Sequence, residues 1–284
     1  MPADRLQTQR FELKYIIPND VAVRIRDFVQ PYLEMDSFGA RQEDRSYPVH
    51  SLYLDSSDLA LHQSTINGDK NRYKLRVRFY ENWEEAPVYF EIKRREDNAI
   101  YKERCPVHRD SVKEIVAGRL PAREDLSDVS PENERSLLHF SRLLNELHAR
   151  PITHVSYRRE AWMSHDSNRV RVTMDRKVRT CPESTVRLEP GMDCPVSVFG
   201  DAVVLELKFS GRFPVWMRDL VRVFGLRQCS AAKYVDGVVR LEEENLIRVR
   251  FPRVHEMRGI ARRQLRQIRS APQFFQDRLR SLAQ

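Results

Sequence analysis

In the segment 72–80, charged and apolar side chains alternate strictly from Arg72 to Phe79. One side of this segment is apolar and the other side is cationic, with Tyr73, Leu75, Val77 and Phe79 on the first and Arg72, Lys74, Arg76 and Arg78 on the second. Because successive side chains of a strand point to opposite faces, the pattern predicts a strand with one apolar and one basic face. Adjacent like charges repel each other, so four cations without an acid favour a strand that faces an anion.

Seven further segments repeat the period of two that is typical of strands. They lie at residues 10–17, 50–55, 88–94, 99–107, 152–163, 169–175 and 203–209. Helical periodicity marks residues 19–33, 57–66, parts of 110–149, 214–225 and 231–244, and a last helix begins near residue 254. We therefore predict an α+β fold with an eight-stranded domain over 1–252. A C-terminal basic amphipathic helix is predicted over 253–284.

The composition limits the class of protein that this chain can form. A chain of 284 residues with 41% hydrophobic side chains can build a core, whereas no apolar run is long enough for a membrane span. The N-terminus lacks the apolar stretch of a signal peptide. Four scattered cysteines without a Cys-x-x-Cys pair indicate reduced thiols, not disulfides or a zinc site. We expect a soluble, cytoplasmic protein whose net charge of +8 favours polyanionic partners.

Most of the predicted strands have a charged face, and two arrangements of these faces are open. The charges either meet solvent around an apolar core, which is the more common case, or line a wet lumen while the apolar faces pack against helices. Three strands also carry a Glu-x-Lys pair on this face, namely Glu12/Lys14, Glu91/Lys93 and Glu206/Lys208. Such a pair is a common surface salt bridge, but it also suits a site for both a divalent cation and phosphates.

A series of short motifs along the chain resembles a known family. The motifs are Arg10-Phe-Glu-Leu-Lys-Tyr15, Ser51-Leu-Tyr-Leu-Asp55, Lys74-Leu-Arg-Val-Arg-Phe-Tyr80, Phe90-Glu-Ile-Lys93, Lys102-Glu-Arg104, Tyr157-Arg-Arg159, Arg171-Val-Thr-Met-Asp175, Leu205-Glu-Leu-Lys208, Pro214-Val-Trp216 and Ala232-Lys-Tyr234. In this order they resemble the VTC (vacuolar transporter chaperone) domain, the polyphosphate polymerase branch of the triphosphate tunnel metalloenzymes. These enzymes are related to the CYTH domains.

The resemblance implies an eight-stranded antiparallel β-barrel with helices packed outside and a lumen coated with arginine and lysine. Such a triphosphate tunnel binds ATP or another nucleoside triphosphate and transfers its γ-phosphoryl group to inorganic polyphosphate or pyrophosphate, with Mn²⁺ or Mg²⁺ as cofactor. The implied catalytic set is Arg76, Arg78, Lys93, Tyr157, Arg159 and Lys233. The further phosphate ligands are Lys14, Lys102, Arg171 and Lys208, and the implied metal ligand is Glu206, with Glu12 and Glu91 on the same strand faces.

Two positions depart from the family patterns. The common CYTH opening Glu-x-Glu-x-Lys begins with Arg10 here, which exchanges a metal ligand for a phosphate ligand and favours the VTC branch over thiamine triphosphatases. In the polymerase pattern a late helix has Lys-x-x-Ser-Lys, whereas this chain has Ser230-Ala-Ala-Lys233. One basic side chain and one hydroxyl group of the pattern are therefore missing at this helix.

Three other functions stay open from the sequence. The tunnel would act as a tripolyphosphatase or nucleoside triphosphatase if water replaced the terminal phosphate as acceptor. The second alternative function is that of a non-catalytic polyphosphate-binding module. Such a module would not need the metal ligand Glu206. The third is nucleic-acid binding through residues 255–284, where only Phe274 and Phe275 would stack on bases. Nucleic acid is thus not an expected partner, while a membrane-protein partner stays open.

The C-terminal segment has apolar residues at helical spacing and a basic face. The apolar residues are Met257, Ile260, Ala261, Leu265 and Ile268, and the arginines around them are Arg262, Arg263, Arg266 and Arg269. This helix either packs on the domain with solvated arginines or lies near one tunnel mouth, where a basic rim would guide the emerging chain.

Overall fold

The computed structural model describes residues 10–80, 85–97, 99–165 and 169–247. The strands in these ranges are β1 (Arg10–Ile17), β2 (Glu34–Met35), β3 (Tyr47–Asp55), β4 (Asn71–Phe79), β5 (Val88–Glu96), β6 (Ala99–Val107), β7 (Arg150–Met163), β8 (Val170–Pro182), β9 (Val196–Ser197) and β10 (Val203–Ser210). The helices are α1 (Asn19–Val29), α2 (Ser37–Ala40), α3 (Ala60–Ile66), α4 (Val112–Val116), α5 (Pro131–Glu146), α6 (Val215–Val223) and α7 (Lys233–Glu243). Two 3₁₀ turns cover Arg109–Ser111 and Arg123–Asp125. The predicted helix over 253–284 and its boundary lie outside the described residues.

The strands form one large antiparallel sheet. Eight long strands are hydrogen-bonded in the order β7-β3-β4-β5-β6-β1-β10-β8, and a further ladder pairs β7 with β8. In the described ranges, β1 and β6 share a single registered pair, Arg10 with Ile100. The predicted α+β fold with an antiparallel sheet is therefore confirmed. Closure into a β-barrel stays a prediction, because the sheet is held at β1 and β6 by this one pair.

Strand β8 differs most from its predicted extent. The sequence predicts a strand over 169–175, but β8 continues to Pro182. Lys177 has a positive φ of 52°, and the pairing of β7 with β8 shifts register between Ser156 and Arg158. This irregularity interrupts the period of two, so the alternation that marks a strand stops before the strand ends. The two-residue strands β2 and β9 are too short to show any period.

The apolar faces of the strands pack against helices in two clusters. In the first cluster, β3 to β6 contact α4 and α5, and Leu75 and Phe140 are buried there. In the second cluster, β1, β8 and β10 contact α1 and α6, and Ile25 and Leu205 are buried. Each such side chain stabilises the fold by roughly 1.5–3 kcal/mol when it is removed from water. Since the helices cover the apolar faces, the charged faces of the same strands lie on the other side of the sheet.

Helix α5 shows how the local sequence fixes an outer helix. Ser130 caps its first turn by accepting a hydrogen bond from the Asn133 backbone N–H at 3.1 Å, and Pro131 occupies the first helical position. Phe140 and Leu144, four residues apart, face the sheet. At 16 residues α5 is the longest helix in the described ranges, where none is both long and apolar enough to cross a membrane.

Candidate functional site

The charged faces of distant strands contact each other directly. Lys93 on β5 lies 2.9 Å from Glu12 on β1, although β6 separates these two strands. Arg159 on β7 lies 3.5 Å from Glu206 on β10, although β8 separates them. The two ends of the strand order, β7 and β8, also pair with each other, so the sheet is curved. Side chains of strands two positions apart converge on the concave side of a curved sheet, which places these charged side chains there.

Four cations surround the fully buried carboxylate of Glu91. Arg76 Nη2 and Lys102 Nζ lie 2.5 and 2.7 Å from its oxygens. Arg104 Nε and Arg78 Nη1 follow at 3.4 and 3.7 Å. We refer to these five residues as the Glu91 cluster. Because one negative charge faces four positive charges, the Glu91 cluster keeps a positive excess that suits a polyanion.

Hydroxyl groups fix two arginines of the Glu91 cluster. Arg76 Nη1 donates a hydrogen bond to Tyr53 Oη at 3.2 Å. Arg78 donates to Ser51 Oγ at 3.3 Å and to Tyr157 Oη at 3.0 Å. The guanidinium planes are thus oriented by the protein itself, before any ligand contacts them.

The carboxyl group of Glu91 stays ionised in spite of its burial. Burial by itself raises its pKa, but Arg76, Arg78 and Lys102 together outweigh that effect and hold the pKa well below its usual range. Glu91, on β5, therefore acts as a permanent negative charge that holds the cations of β4 and β6 together.

A second group of charges lies around Glu206 on β10. It consists of the carboxylates Glu12, Asp175 and Glu206 and the cations Lys14, Lys93, Arg159, Lys208 and Lys233, which we refer to as the Glu206 cluster. Lys208 and Lys233 lie 2.6 and 2.9 Å from Glu206. Arg159 donates two hydrogen bonds of 2.7 Å to Asp175, and Lys233 lies 2.6 Å from the same carboxylate. Cations from four strands and one helix thus converge on three carboxylates.

Helix α7 brings Lys233 into the Glu206 cluster. Just before this helix, the Lys14 ammonium group donates a hydrogen bond of 2.9 Å to the carbonyl oxygen of Ala231. In its first turn, the Tyr234 hydroxyl donates to the buried carboxylate of Asp55 at 2.6 Å. These two contacts tie the start of α7 to β1 and β3, which positions the Lys233 side chain.

Burial makes several lysines of the site easier to deprotonate than free lysine. It lowers the pKa of Lys208 and of Lys102 to about 7, against the opposing attraction of a nearby glutamate. It also lowers the pKa of Lys74 on β4 to about 7, and two neighbouring lysines act in the same direction. Lys233 is different, because Asp175 and Glu206 outweigh its burial and raise its pKa.

Tyr157 on β7 lies between the two clusters. Its hydroxyl accepts the hydrogen bond from Arg78, while its ring centroid lies 5.1 Å from Arg159 Cζ and 5.0 Å from Lys233 Nζ. Cations at such distances are attracted by the face of an aromatic ring. Tyr157 therefore joins the Glu91 cluster and the Glu206 cluster into one continuous surface.

Arg171 on β8 lies at the border of this surface. Its Nη2 atom lies 3.1 Å from Asp36 Oδ2 and 3.4 Å from Tyr47 Oη. In the ladder it stands opposite Lys208 of the Glu206 cluster. The structure thus brings the implied ligands together in the two clusters, with Tyr157 between them and Arg171 at their edge.

One of the three predicted Glu-x-Lys pairs is replaced by other contacts. The pairs on β1 and β10 form, at 3.3 and 2.6 Å. Among the described ion pairs, however, Glu91 contacts Lys102 and not Lys93, whose partner is Glu12. The prediction considered neighbours on one strand only, whereas the curved sheet brings side chains of other strands closer.

Sequence reasoning missed several charged residues of the site. Asp175 and Arg104 each stand an even number of residues from an implied ligand on the same strand, so the period of two would have found them. Lys74 is predicted on the basic face of β4 but is absent from the implied ligand set. Asp36 follows the two-residue strand β2, in a segment between the predicted helix over 19–33 and the predicted strand over 50–55. No periodicity signals its contact with Arg171.

The residues present suit a divalent metal in their donor chemistry. Mn²⁺ and Mg²⁺ prefer carboxylate oxygens, and the Glu206 cluster contains three carboxylates. In the described ranges no group of three or more His, Cys, Asp or Glu side chains is arranged to hold a metal. The oxygens of Glu206 accept hydrogen bonds from Lys233 and Thr173 at 2.9 and 3.2 Å. A metal at Glu206 would therefore take over oxygens that now contact other side chains.

A concave surface of this kind, with many cations and few carboxylates, suits a polyanionic ligand. The model of the VTC domain family matches residues 9–242, so the chain belongs to the VTC domain family. No curated protein gives a match.

Three solved structures show distant likeness to the chain. A Bacillus halodurans protein provisionally assigned as an adenylate cyclase has 12% identity and a TM-score of 0.45, and the match covers 79% of this chain and 94% of that one. The PH1819 protein from Pyrococcus horikoshii has 11% identity and a TM-score of 0.41, with 82% and 98% covered. The Schizosaccharomyces pombe Mediator head module has 8% identity and a TM-score of 0.38, with 76% and 91% covered. None of these likenesses is close enough to define an activity.

Proposed function

We propose that this chain is a polyphosphate polymerase that transfers the γ-phosphoryl group of ATP, or of another nucleoside triphosphate, to a growing inorganic polyphosphate chain. The observation that carries this function is the convergence of cations from six strands and α7 on one continuous surface. Part of this surface is open to solvent, since the side chains of Lys93 and Lys102 are 30% and 41% exposed. Membership of the VTC domain family supports the same function.

The eight long strands would form a tunnel around this surface. Their order and the β7–β8 ladder support such closure. In a closed arrangement the charged faces line the lumen, while the apolar faces pack against helices outside. A narrow lumen holds little water, which strengthens each contact between a cation and a phosphate.

The arginines neutralise the transferring group. Phosphoryl transfer needs in-line placement of donor and acceptor and stabilisation of charge on the phosphate oxygens. The guanidinium groups of Arg76, Arg78 and Arg159 present paired N–H donors whose spacing matches phosphate oxygens. Because carboxylates and hydroxyls already orient these groups, little reorganisation is needed when the transition state forms.

Lys233 and Tyr157 act beside the arginines. The raised pKa of Lys233 keeps its ammonium group charged, and α7 holds it next to Glu206. The Tyr157 hydroxyl accepts a hydrogen bond from Arg78 and can itself donate to a phosphate oxygen. Together these groups orient the phosphate that lies between the two clusters.

Glu206 and Glu12 would hold Mn²⁺ or Mg²⁺ with the substrate. Such a metal supplies Lewis-acid neutralisation of phosphate oxygens when it is bound. The lysines displaced from these carboxylates are then free to contact the phosphate chain.

The reaction requires no nucleophilic side chain. A terminal oxygen of the bound polyphosphate or pyrophosphate attacks the γ-phosphorus, the bond from this phosphorus to the β,γ-bridging oxygen breaks, and ADP leaves with that oxygen. The protein contributes charge and position only, which agrees with a site built from arginine, lysine and carboxylates.

A product gel tests this function directly. Purified protein is incubated with ATP, Mn²⁺ and pyrophosphate, and the products are separated by length. The expected result is a ladder of inorganic polyphosphate with ADP formed in step. Arg158→Ala serves as a control, because Arg158 pairs with Asp44 at 2.9 Å in an exposed contact away from both clusters. Release of orthophosphate without chains would identify a hydrolase instead, and tripolyphosphate binding without turnover would identify a non-catalytic module.

A further inference from the structure

Four aromatic side chains form a row at one end of the charged surface. They are Phe38 on α2, Tyr47 at the start of β3, Tyr80 directly after β4 and Tyr89 on β5, and we refer to them as the aromatic row. Successive ring centroids lie 5.8, 6.4 and 6.0 Å apart. Phe38 is 61% exposed, and Tyr80 and Tyr89 are partly exposed. Tyr47 is buried between them, so Phe38, Tyr80 and Tyr89 are the members of the row that present ring surface to solvent.

Two arginines connect the aromatic row to the phosphate-binding surface. Arg104 of the Glu91 cluster places its Cζ atom 3.4 Å from the ring centroid of Tyr89 and 5.8 Å from that of Tyr80. Arg171 contacts the hydroxyl of Tyr47 at 3.4 Å, while its Nε atom has no hydrogen-bond partner in the described part of the chain. The row is thus continuous with the cations, and one guanidinium donor beside it is unused.

Asp36 fixes the outer end of the aromatic row. Its carboxylate accepts hydrogen bonds from the Gly39 backbone N–H and the Tyr47 hydroxyl, both at 2.9 Å, and from Arg171 at 3.1 Å. Asp36 is buried, and these contacts hold the short helix that carries Phe38. A ligand that stacks here therefore meets a preorganised surface and loses little free energy in ordering it.

The opposite end of the same strand faces has a different chemistry. Lys74, Lys93 and Lys102 stand side by side on β4, β5 and β6. Lysines at this spacing suit a chain of phosphates, whereas exposed rings suit a flat base. A nucleoside triphosphate has one group of each kind, so the two ends of the surface match its two ends.

The spacing along the strands also fits a nucleotide. Tyr80 stands two residues after Arg78, and Tyr89 stands two residues before Glu91. Two residues correspond to about 7 Å along a strand. This distance leaves room for a sugar between a stacked base and a phosphate held by the Glu91 cluster.

We propose that the aromatic row stacks the base of the donor nucleoside triphosphate, which rests on the polymerase function proposed above. The donor then lies with its base at the row and its γ-phosphate between the two clusters, and the inorganic chain extends toward the lysine end. Stacking uses the face of a base and not its edge, so the row accepts purine nucleotides without strong discrimination between them.

Equilibrium binding to the full chain tests this subsite. Two probes are compared in the presence of Mg²⁺: the non-hydrolysable β,γ-imido analogue of ATP, and inorganic tripolyphosphate, which has no base. Phe38→Ala and Tyr80→Ala are each expected to weaken binding of the ATP analogue by about ten-fold, the order of magnitude for one stacked base. Binding of tripolyphosphate should stay unchanged in both variants, which also shows that they fold.

Two further variants serve as controls. Tyr80→Phe keeps the ring and should bind the ATP analogue as the wild type does. Tyr32→Ala removes an exposed ring that stacks on Trp216 at 4.8 Å, on α6, and should change neither affinity. Equal loss of both probes, or no loss of the ATP analogue, in Phe38→Ala and Tyr80→Ala would overturn the subsite alone. A wild-type protein that binds neither probe would overturn the polymerase function together with the subsite.

Discussion

The Glu91 cluster and the Glu206 cluster balance their charges in different ways. The Glu91 cluster sets three arginines and one lysine around a single carboxylate. The Glu206 cluster sets four lysines and one arginine among three carboxylates. Both face the same side of one sheet, and Tyr157 lies between them.

The difference indicates a division of work between the clusters. Arginine stays charged at every physiological pH and presents its donors in a fixed plane, so under the proposed function the Glu91 cluster would be the permanent site for phosphate oxygens. The lysine side chain is flexible, and carboxylates accept metal ions. Under the proposed function, the Glu206 cluster would therefore be the part of the surface that rearranges around a metal and a reacting phosphate.

Glu206→Gln should have the largest effect on activity. The change keeps the shape of the side chain but removes the charge that orders the Glu206 cluster, so polyphosphate synthesis should fall by orders of magnitude. Loss of one partner from a buried ionic network typically costs about 3–5 kcal/mol of stability. Tripolyphosphate should still bind, because the cations remain. Initial rates and calorimetric titration measure the two effects.

Glu103→Gln is the matched control for this variant. Glu103 stands on β6 between Lys102 and Arg104, but its carboxylate contacts His139 at 2.7 Å on the helix-covered side. Its replacement should leave synthesis unchanged. Undiminished synthesis in Glu206→Gln would show that Glu206 is not the metal ligand. Glu12 and Glu91 would then be the candidate ligands.

Arg78→Lys should have a smaller effect that is specific to the Glu91 cluster. The ammonium group keeps the charge but cannot reach Ser51 and Tyr157 with paired donors. One hydrogen bond to a charged group contributes about 1.5–3 kcal/mol, so synthesis should fall about ten- to a hundred-fold.

Arg78→Ala and Arg76→Ala also remove the charge and should lower synthesis further than Arg78→Lys, toward the level of Glu206→Gln. Because buried Glu91 loses a partner in each, both should also be less stable than the wild type. Wild-type rates in either alanine variant would exclude β4 from the site.

The lysines predict a modest dependence of stability on pH. Lys208, Lys102 and Lys74 have pKa values of about 7 in the folded protein, whereas unfolded lysine titrates near 10.4. Between these values the unfolded chain binds more protons, so the stability of the unliganded protein should rise as pH increases from 7 to about 8.5. Thermal unfolding over this interval measures the trend.

Ligand binding should return these lysines to their protonated form. Tripolyphosphate favours their charged forms, so its binding at pH 8.5 should take up protons. Calorimetry in two buffers with different ionisation enthalpies detects this uptake, and Lys208→Gln should reduce it. Binding without proton uptake at pH 8.5 would contradict the lowered pKa values.

The sequence predicts much of the fold because most strands keep a simple period. All eight long strands appear at their predicted places, since an apolar face alternates with a charged face in most of them. The bend at Lys177 breaks this period, and the second half of β8 was missed for that reason. The candidate ligands come from the family resemblance. Alternation alone does not distinguish a strand face that binds a ligand from one that only faces solvent.

The contacts within the site were less predictable. Lys93 meets Glu12 and Arg159 meets Glu206 because the sheet curves, and curvature is not visible in the period of one strand. Phe38 and Asp36 belong to a polar segment with no period at all. Sequence reasoning therefore identifies which residues share a face, but not which of them touch.

A thermal scan with tripolyphosphate tests most directly whether this face of the sheet binds chains of phosphate. A ligand that binds only the folded chain stabilises it by about 2.7 kcal/mol at a concentration of 100 Kd. The wild-type melting temperature should therefore rise well above the value in sodium chloride of equal ionic strength, which controls for screening. The rise should shrink in Arg76→Ala and persist in Arg158→Ala. A melting temperature that tripolyphosphate leaves at the salt-control value would contradict phosphate binding by both clusters.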